Sequence, residues 1–369
     1  MNTLVEVTSA IEQADLPTPT KEEVAQIVED AGLIYVNDNL PGITRHRVGK
    51  GFTYRLPDGT TLKDCKEIER IRKLAIPPAY TEVWICPLPE GHIQATGRDA
   101  RGRKQYKYHP KWTEMTNGNK FGRMLAFGEA LPRIRERVQA DLQKRGLPRE
   151  KVLATVVWFL EKSLIRVGND EYAKHNNSFG LTTMRRRHVD VEGGQVRFRF
   201  VGKRGIKHEI SVFDRKMARI VRKIQDLKGQ ELFTYLDEEG RKVDVTSTDV
   251  NAYLKEISGQ DFTAKDFRTW SATVAAIEEL SEKCGFETKR EAQRAIRDAL
   301  EQVSRQLGNT PAIARKSYVH PVVFERFGDG SLEAFLATPT VGGDADCDPE
   351  AVALALLRHL EEAEERQAA

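Results

Sequence analysis

The spacing of apolar and polar residues changes twice along the chain. From Leu33 the runs LIYVND, GFTYRL, TTLKD, TEVWICPL and HIQATG are short and rich in β-branched and aromatic residues, as strands with one buried face are. Pro57-Asp58-Gly59 supplies a turn between the second and third. One helical run, KEIERIRKLAI, stops at Pro77-Pro78. After Trp112 the period lengthens to that of helices. GRMLAFGEALPRIRERVQADLQKRG and EKVLATVVWFLEKSLIRVG predict two long helices, the second apolar enough to be central and ending in Gly168. Then LTTMRRRHVDV, QVRFRFVGK and KHEISV read as strands, with turns at Gly193-Gly194 and Lys203-Arg204-Gly205. Helices resume at Asp214 and run, with breaks, to about Tyr318. Past the polar break VGGDADCDPE, the run AVALALLRHLEEAEER predicts a final acidic helix. At the other end, Thr20-Lys21-Glu22-Glu23 opens a short amphipathic helix that closes near Gly32. The expected fold is α+β, a small β-rich N-terminal domain followed by a larger, mainly helical one. Its boundaries are 1–32 for an acidic helical extension, 33–112, 113–330, and 331–369 for an acidic C-terminal tail.

Composition adds constraints. A chain of 369 residues exceeds the usual single domain, in agreement with that division. With 40% hydrophobic and 31% charged residues it reads as soluble and globular, and no apolar run approaches the roughly 18 residues of a membrane span. The amino terminus has no basic stretch followed by an apolar one, so no secretory signal is expected. Cys65, Cys86, Cys284 and Cys347 are scattered, which argues for a reducing cytoplasm and against structural zinc. The net charge of +3 hides a sharp asymmetry. Residues 1–32 carry seven acids against one base, and 331–369 carry nine acids against two bases, so 33–330 holds an excess of sixteen positive charges. Such a core points to a polyanionic partner, most simply nucleic acid, although charge alone leaves a solvated basic surface equally open.

Transfer of a phosphodiester through an enzyme nucleophile requires an in-line nucleophile, cations for the non-bridging oxygens and an acid for the leaving oxygen. No Asp/Glu/His cluster stands at metal-ligand spacing, so arginine, whose planar fork grips phosphate at two points, is the cation to look for. Four pieces fit. Arg166 follows the apolar helix in SLIRVGNDEY, and Lys203 tips the hairpin FRFVGKRGIKHEISV. Arg268 lies near a helix start in KDFRTWS, and Asn309 and Tyr318 share LGNTPAIARKSYVH. Singly, each has an ordinary reading as a helix-end cation, a solvated lysine or a core aromatic.

Taken in order, GRKQYKY, IRVGNDEYAKHNNSFGLTTMRRRHV, FVGKRGIKHE, KDFRTWSATVAA and LGNTPAIARKSYVHP make the chain resemble the type IB DNA topoisomerases, in the compact form of poxviruses and some bacteria. The resemblance runs from about Leu33 to Phe327. It implies a β-rich DNA-binding domain and a catalytic domain of the tyrosine recombinase/type IB topoisomerase kind. It further implies an ATP-independent enzyme that relaxes supercoiled duplex DNA through a transient 3′-phosphotyrosyl link, without a cofactor or an obligatory metal. Tyr318 matches the nucleophile, Arg166 and Arg268 the arginines on the scissile phosphate, and Lys203 the general acid for the 5′ oxygen. Nine residues before the tyrosine the family commonly has histidine; here Asn309 can donate a hydrogen bond to a phosphate oxygen but cannot carry a proton to it. Gln105 and Tyr106 match major-groove contacts, and Tyr172 and Lys265 match contacts near the cleavage site.

Tyrosine recombinases share the Arg, Lys, Arg, Tyr chemistry but typically carry His-x-x-Arg at the second arginine and a helical first domain. Lys265-x-x-Arg268 and the β-rich first domain favour topoisomerase over site-specific strand exchange. A non-enzymatic DNA-binding module would leave the order of five motifs unexplained. The expected partner is double-stranded DNA, bound by a monomer that wraps the duplex, in the cytoplasm and at the nucleoid.

Overall fold

The computed structural model describes residues 32–49, 51–100, 102–113, 121–227, 229–338 and 348–368. The helix expected before Gly32 lies outside the described residues. The chain divides into two compact units, Met1–Phe121 and Gly122–Ala369.

In the first unit an antiparallel sheet has the order β2-β1-β3-β4-β5. Its strands are β1 (Ile43–Val48), β2 (Gly51–Arg55), β3 (Thr81–Ile85), β4 (Ile93–Arg98) and β5 (Lys104–Tyr108). Helix α1 (Cys65–Lys73) is capped by Asp64, whose carboxylate accepts the Lys66 amide at 2.8 Å. Its Ile68 and Ile71, with Leu74 beyond its end, pack on Ile43, Val83, Ile85 and Ala95. LIYVND forms no strand; Ile34 makes an isolated bridge to Gly91. The reason lies in a distant partner. The Val36 amide donates to Nδ1 of His92 at 3.1 Å, so a side chain takes the place of a ladder carbonyl. TTLKD likewise contributes only a bridge from Thr61 to Arg55, because Asp64 is committed to the cap.

The second unit is mainly helical. It contains α2 (Met124–Asp141), α3 (Arg149–Ser163), α4 (Asp170–Asn176), α5 (Arg215–Asp226), α6 (Ser247–Ser258) and α7 (Ala264–Ser281). These are followed by α8 (Lys289–Leu307), α9 (Pro311–Ser317), α10 (Pro321–Gly328), α11 (Ser331–Leu336) and α12 (Pro349–Ala368). Helix α3 is central, as its composition predicts: Val152, Leu153, Ala154, Val156, Phe159 and Leu160 are all buried, and α2, α6 and α7 pack around it. It does not reach Gly168. It ends at Ser163, and Leu164 turns into the left-handed region at φ 53°. The Ser163 hydroxyl donates to the Phe159 carbonyl at 2.5 Å and accepts the Ile165 amide at 3.3 Å, which closes the last turn early.

A second antiparallel sheet joins β6 (Val189–Glu192), β7 (Gln195–Val201) and β8 (Lys207–Phe213) in that order. The expected strand LTTMRRRHVDV is reduced to β6. Leu181 and Thr182 instead donate their amides to the carbonyls of Arg166 and Val167, at 2.9 and 2.7 Å. A small hairpin, β9 (Thr234–Leu236) and β10 (Lys242–Asp244), fills one of the breaks in the helical region expected from Asp214 to Tyr318. Three-residue strands are too short to show alternation. Helix α12 buries Val352, Ala353, Leu356 and Leu357 and packs against α2 and α7. Among the described residues no helix is long and apolar enough to cross a membrane.

Candidate active site

Tyr318 stands between two short helices that each begin with proline. Thr310 caps α9, and the chain leaves that helix at Tyr318, whose amide donates to the Ala314 carbonyl at 3.0 Å. His320 then caps α10 through Nδ1, which accepts the Val322 amide at 3.2 Å. Thr273 of α7, wholly buried, ties this corner down. Its hydroxyl accepts the His320 amide at 3.0 Å, and its one proton is shared between the Thr269 carbonyl at 3.0 Å and the Tyr318 carbonyl at 3.3 Å.

Arg268, one turn into α7, is only 4% exposed. Its guanidinium donates to the Leu164 carbonyl and, at 2.8 Å, to the Leu307 carbonyl. These carbonyls lie at the ends of α3 and α8, where helix dipoles concentrate negative charge and make a buried cation tolerable. The same guanidinium lies 5.2 Å from the centroid of the Tyr318 ring. Arg166 follows the left-handed turn at Leu164, in a segment fastened by the Leu181 and Thr182 amides, and donates to Oδ1 of Asn309. Asn309 sits just past α8, with its amide on the Ser304 carbonyl at 2.9 Å. Its Nδ2 is buried and makes no well-formed hydrogen bond, yet lies near enough to the Tyr318 hydroxyl to favour the ionised form.

The electrostatics follow from this packing. Burial raises the pKa of the Tyr318 hydroxyl, but the charges of Arg268 and Arg166, with a hydrogen bond from Arg268 and the nearby Asn309 amide, outweigh it. The net position is below that of an ordinary tyrosine. Nearby, burial lowers the pKa of His208, and Arg166 and Arg268 lower it further, so its imidazole is neutral at pH 7. Four of the predicted site residues, Arg166, Arg268, Asn309 and Tyr318, thus form one cluster. Lys203 opens the turn Lys203–Gly205 between β7 and β8, with Arg204 beside it at φ 66°. Lys265 is in the first turn of α7, half-buried and one turn before Arg268.

Two residues of the cluster were not singled out by the sequence. Thr273 reads there as an ordinary helical threonine. His208 falls in a run, KHEISV, whose alternation accounts for it as a strand residue. Only its place five residues after Lys203, on the same hairpin, hints at more. In the first unit, Gln105 and Tyr106 lie on β5. The Gln105 amide donates to Asp99 at 3.1 Å. The Tyr106 ring stacks on Tyr108, centroids 6.0 Å apart, with the Lys104 ammonium 5.5 Å from its centroid. Tyr172 belongs to α4, and its side chain lies outside the described residues. Among the described residues no three His, Cys, Asp or Glu side chains are grouped as metal ligands.

Comparison with known proteins agrees with this geometry. The family described as the catalytic core of eukaryotic DNA topoisomerase I matches residues 109–334, and the N-terminal domain of bacterial DNA topoisomerase IB matches 51–99. DNA topoisomerase 1B of Acanthamoeba polyphaga mimivirus is 32% identical over 295 residues, which cover 78% of this chain and 88% of the relative. DNA topoisomerase 1B of vaccinia virus is 22% identical over 253 residues, covering 68% and 76% of the two chains. The chain belongs to the type IB DNA topoisomerase family, and its enzymatic class is that of an isomerase acting on DNA.

Proposed function

We propose that Tyr318 attacks the scissile phosphate of one strand of duplex DNA, forming a 3′-phosphotyrosyl ester and releasing a 5′-hydroxyl. Arg166 and Arg268 hold the non-bridging oxygens, and the Nδ2 of Asn309 donates to one of them. Lys203 protonates the leaving 5′ oxygen. Rotation about the intact strand relaxes the supercoil, and the 5′-hydroxyl then reverses the attack. One phosphoester replaces another, so resealing needs no ATP, and the arginines provide the positive charge that a metal would otherwise supply. Gln105 and Tyr106 read the major groove from the β-rich unit, while Tyr172 and Lys265 bind near the cleaved bond. The protein acts as a monomer on the cytoplasmic chromosome, and its catalytic unit shares the design of tyrosine recombinases.

The observation that carries this reading is the gathering of Tyr318 under the buried Arg268 guanidinium, 5.2 Å from its ring, beside the hydrogen-bonded Arg166 and Asn309. Tyr318→Phe removes only the hydroxyl. It should bind duplex DNA as the unaltered protein does, form no covalent adduct and relax no plasmid in EDTA without ATP. Relaxation by this variant above trace level would assign the chemistry to another residue. Relaxation by the unaltered protein of plasmids that lack recombination sites separates this reading from strand exchange.

A further inference from the structure

Phosphoryl transfer gives no task to the imidazole of His208, yet its surroundings are tightly packed. Phe200 and His208 are paired across β7 and β8, and their rings stack with centroids 5.0 Å apart and planes 16° from parallel. The ring edge is wedged between two glycines. A Cβ on Gly202 would fall 2.7 Å from the ring atoms Cδ2 and Nε2, and a Cβ on Gly308 would fall 2.4 Å from Cε1. Gly202 immediately precedes Lys203, and Gly308 immediately precedes Asn309. Among the described residues none hydrogen-bonds the ring, so stacking and shape hold it. With Arg166 and Arg268 it lines a small cavity beside the site.

The backbone of the turn that carries Lys203 is closed by the Gly202 amide on the Ile206 carbonyl at 2.7 Å and the Gly205 amide on the Gly202 carbonyl at 3.1 Å. Arg204, Gly205 and Ile206 are exposed. A lysine side chain has four rotatable bonds, so a general acid of this kind needs its backbone placed before its amine can be. We propose that His208 is a positioning residue, a wedge that docks the β7–β8 hairpin on the Gly308 turn and so sets Lys203 at the leaving 5′ oxygen. The inference rests on the assignment of Lys203 as the general acid.

The test is single-turnover cleavage of two duplexes, one with the natural 5′ oxygen at the scissile bond and one with sulfur there. A thiolate leaves without a proton, so the sulfur duplex bypasses the acid. Lys203→Ala should be slow on oxygen and restored on sulfur. His208→Ala should bind DNA normally and lose at least about 10-fold on oxygen, a share of the roughly 10²–10⁴-fold that a proton donor supplies. It too should approach the normal rate on sulfur. If Lys203→Ala is rescued but His208→Ala is not, or if His208→Ala has no defect on oxygen, the wedge is wrong and the acid assignment stands. If sulfur fails to rescue Lys203→Ala, the acid assignment falls and takes the wedge with it. Should His208→Ala not fold, Gly202→Ala serves instead. The backbone there, φ −93°, accepts alanine, so the new methyl acts by displacing the ring. It should show the same sulfur-rescued defect. Where both variants fold, Gly202→Ala with His208→Ala should be no slower than His208→Ala alone, and additive losses would overturn the wedge.

Discussion

A tyrosine hydroxyl with its ordinary pKa of about 10 is roughly one part in a thousand ionised at neutral pH, a poor nucleophile. Tyr318 improves on this because Arg268 and Arg166 offset its burial. In the proposed reaction only the ionised form attacks. The cleavage rate should therefore rise with pH and level off below pH 10, and Arg166→Ala should move the rising limb to higher pH while lowering the plateau. An unshifted limb in a pH series of single-turnover rates would separate Arg166 from the acidity of Tyr318. His92 shows the opposite balance. It is 4% exposed, stacked on Tyr35 at 4.4 Å, and burial brings its pKa down from 6.5 to about 4. Below pH 6.5 the unfolded chain takes up a proton that the folded unit refuses until about pH 4. Stability should thus be full above pH 6.5 and fall as pH drops towards 4, by about 3 kcal/mol in all. Denaturant unfolding of the unaltered protein and of His92→Gln across that range checks it: the variant should lack this pH-dependent loss.

Elements were legible where their pattern is long. The amphipathic α1, the buried α3 and the β7–β8 hairpin are plain in KEIERIRKLAI, VLATVVWFL and VRFRFVGKRGIKHEISV. Of the residues marked by motifs in a familiar order, Arg166, Arg268, Asn309 and Tyr318 are brought together by the fold. What escaped depends on distant partners. The diversion of Leu181 and Thr182 to the Arg166 segment and the contact of His208 with Gly308 join parts of the chain that no local window contains. Thr273 is a further case. One hydroxyl on α7 accepts the amide of His320 and reaches the carbonyl of Tyr318, so the helix that bears Arg268 also sets the backbone on either side of that residue. Thr273→Val keeps the shape but leaves a buried amide without its acceptor, at a cost of about 1–3 kcal/mol. It should slow cleavage while leaving DNA affinity unchanged, measured as single-turnover rate against equilibrium binding. An equal loss in both would make Thr273 merely structural.

Across the whole molecule, charge is segregated, with the sixteen excess positive charges of 33–330 set between acidic ends. Binding should weaken steeply with salt as counterions return to the phosphates, and a flat logarithmic plot would contradict a grip dominated by the backbone. The acids near the C-terminus are part of a folded helix. Glu350 accepts from Arg135 at 2.7 and 2.8 Å and from the Trp270 indole at 3.3 Å, so removing α12 would disturb the core. Exchanging the exposed Glu361, Glu362 and Glu365 for glutamine tests charge alone, and should raise affinity at low salt by an amount that fades as salt increases. Arg268 makes a different demand on the molecule. Its guanidinium is seated by carbonyls 104 and 39 residues away in sequence, and Tyr318 lies beneath it only when both helix ends have arrived. The capacity to cut should therefore be among the last things folding completes. In a denaturant series, cleavage should disappear with, or ahead of, the unfolding of the catalytic unit, and cleavage that outlasts it would refute this order. A half-built chain that could nick DNA would have no means of sealing the break; here the ability to cut and the ability to mend are acquired in the same step.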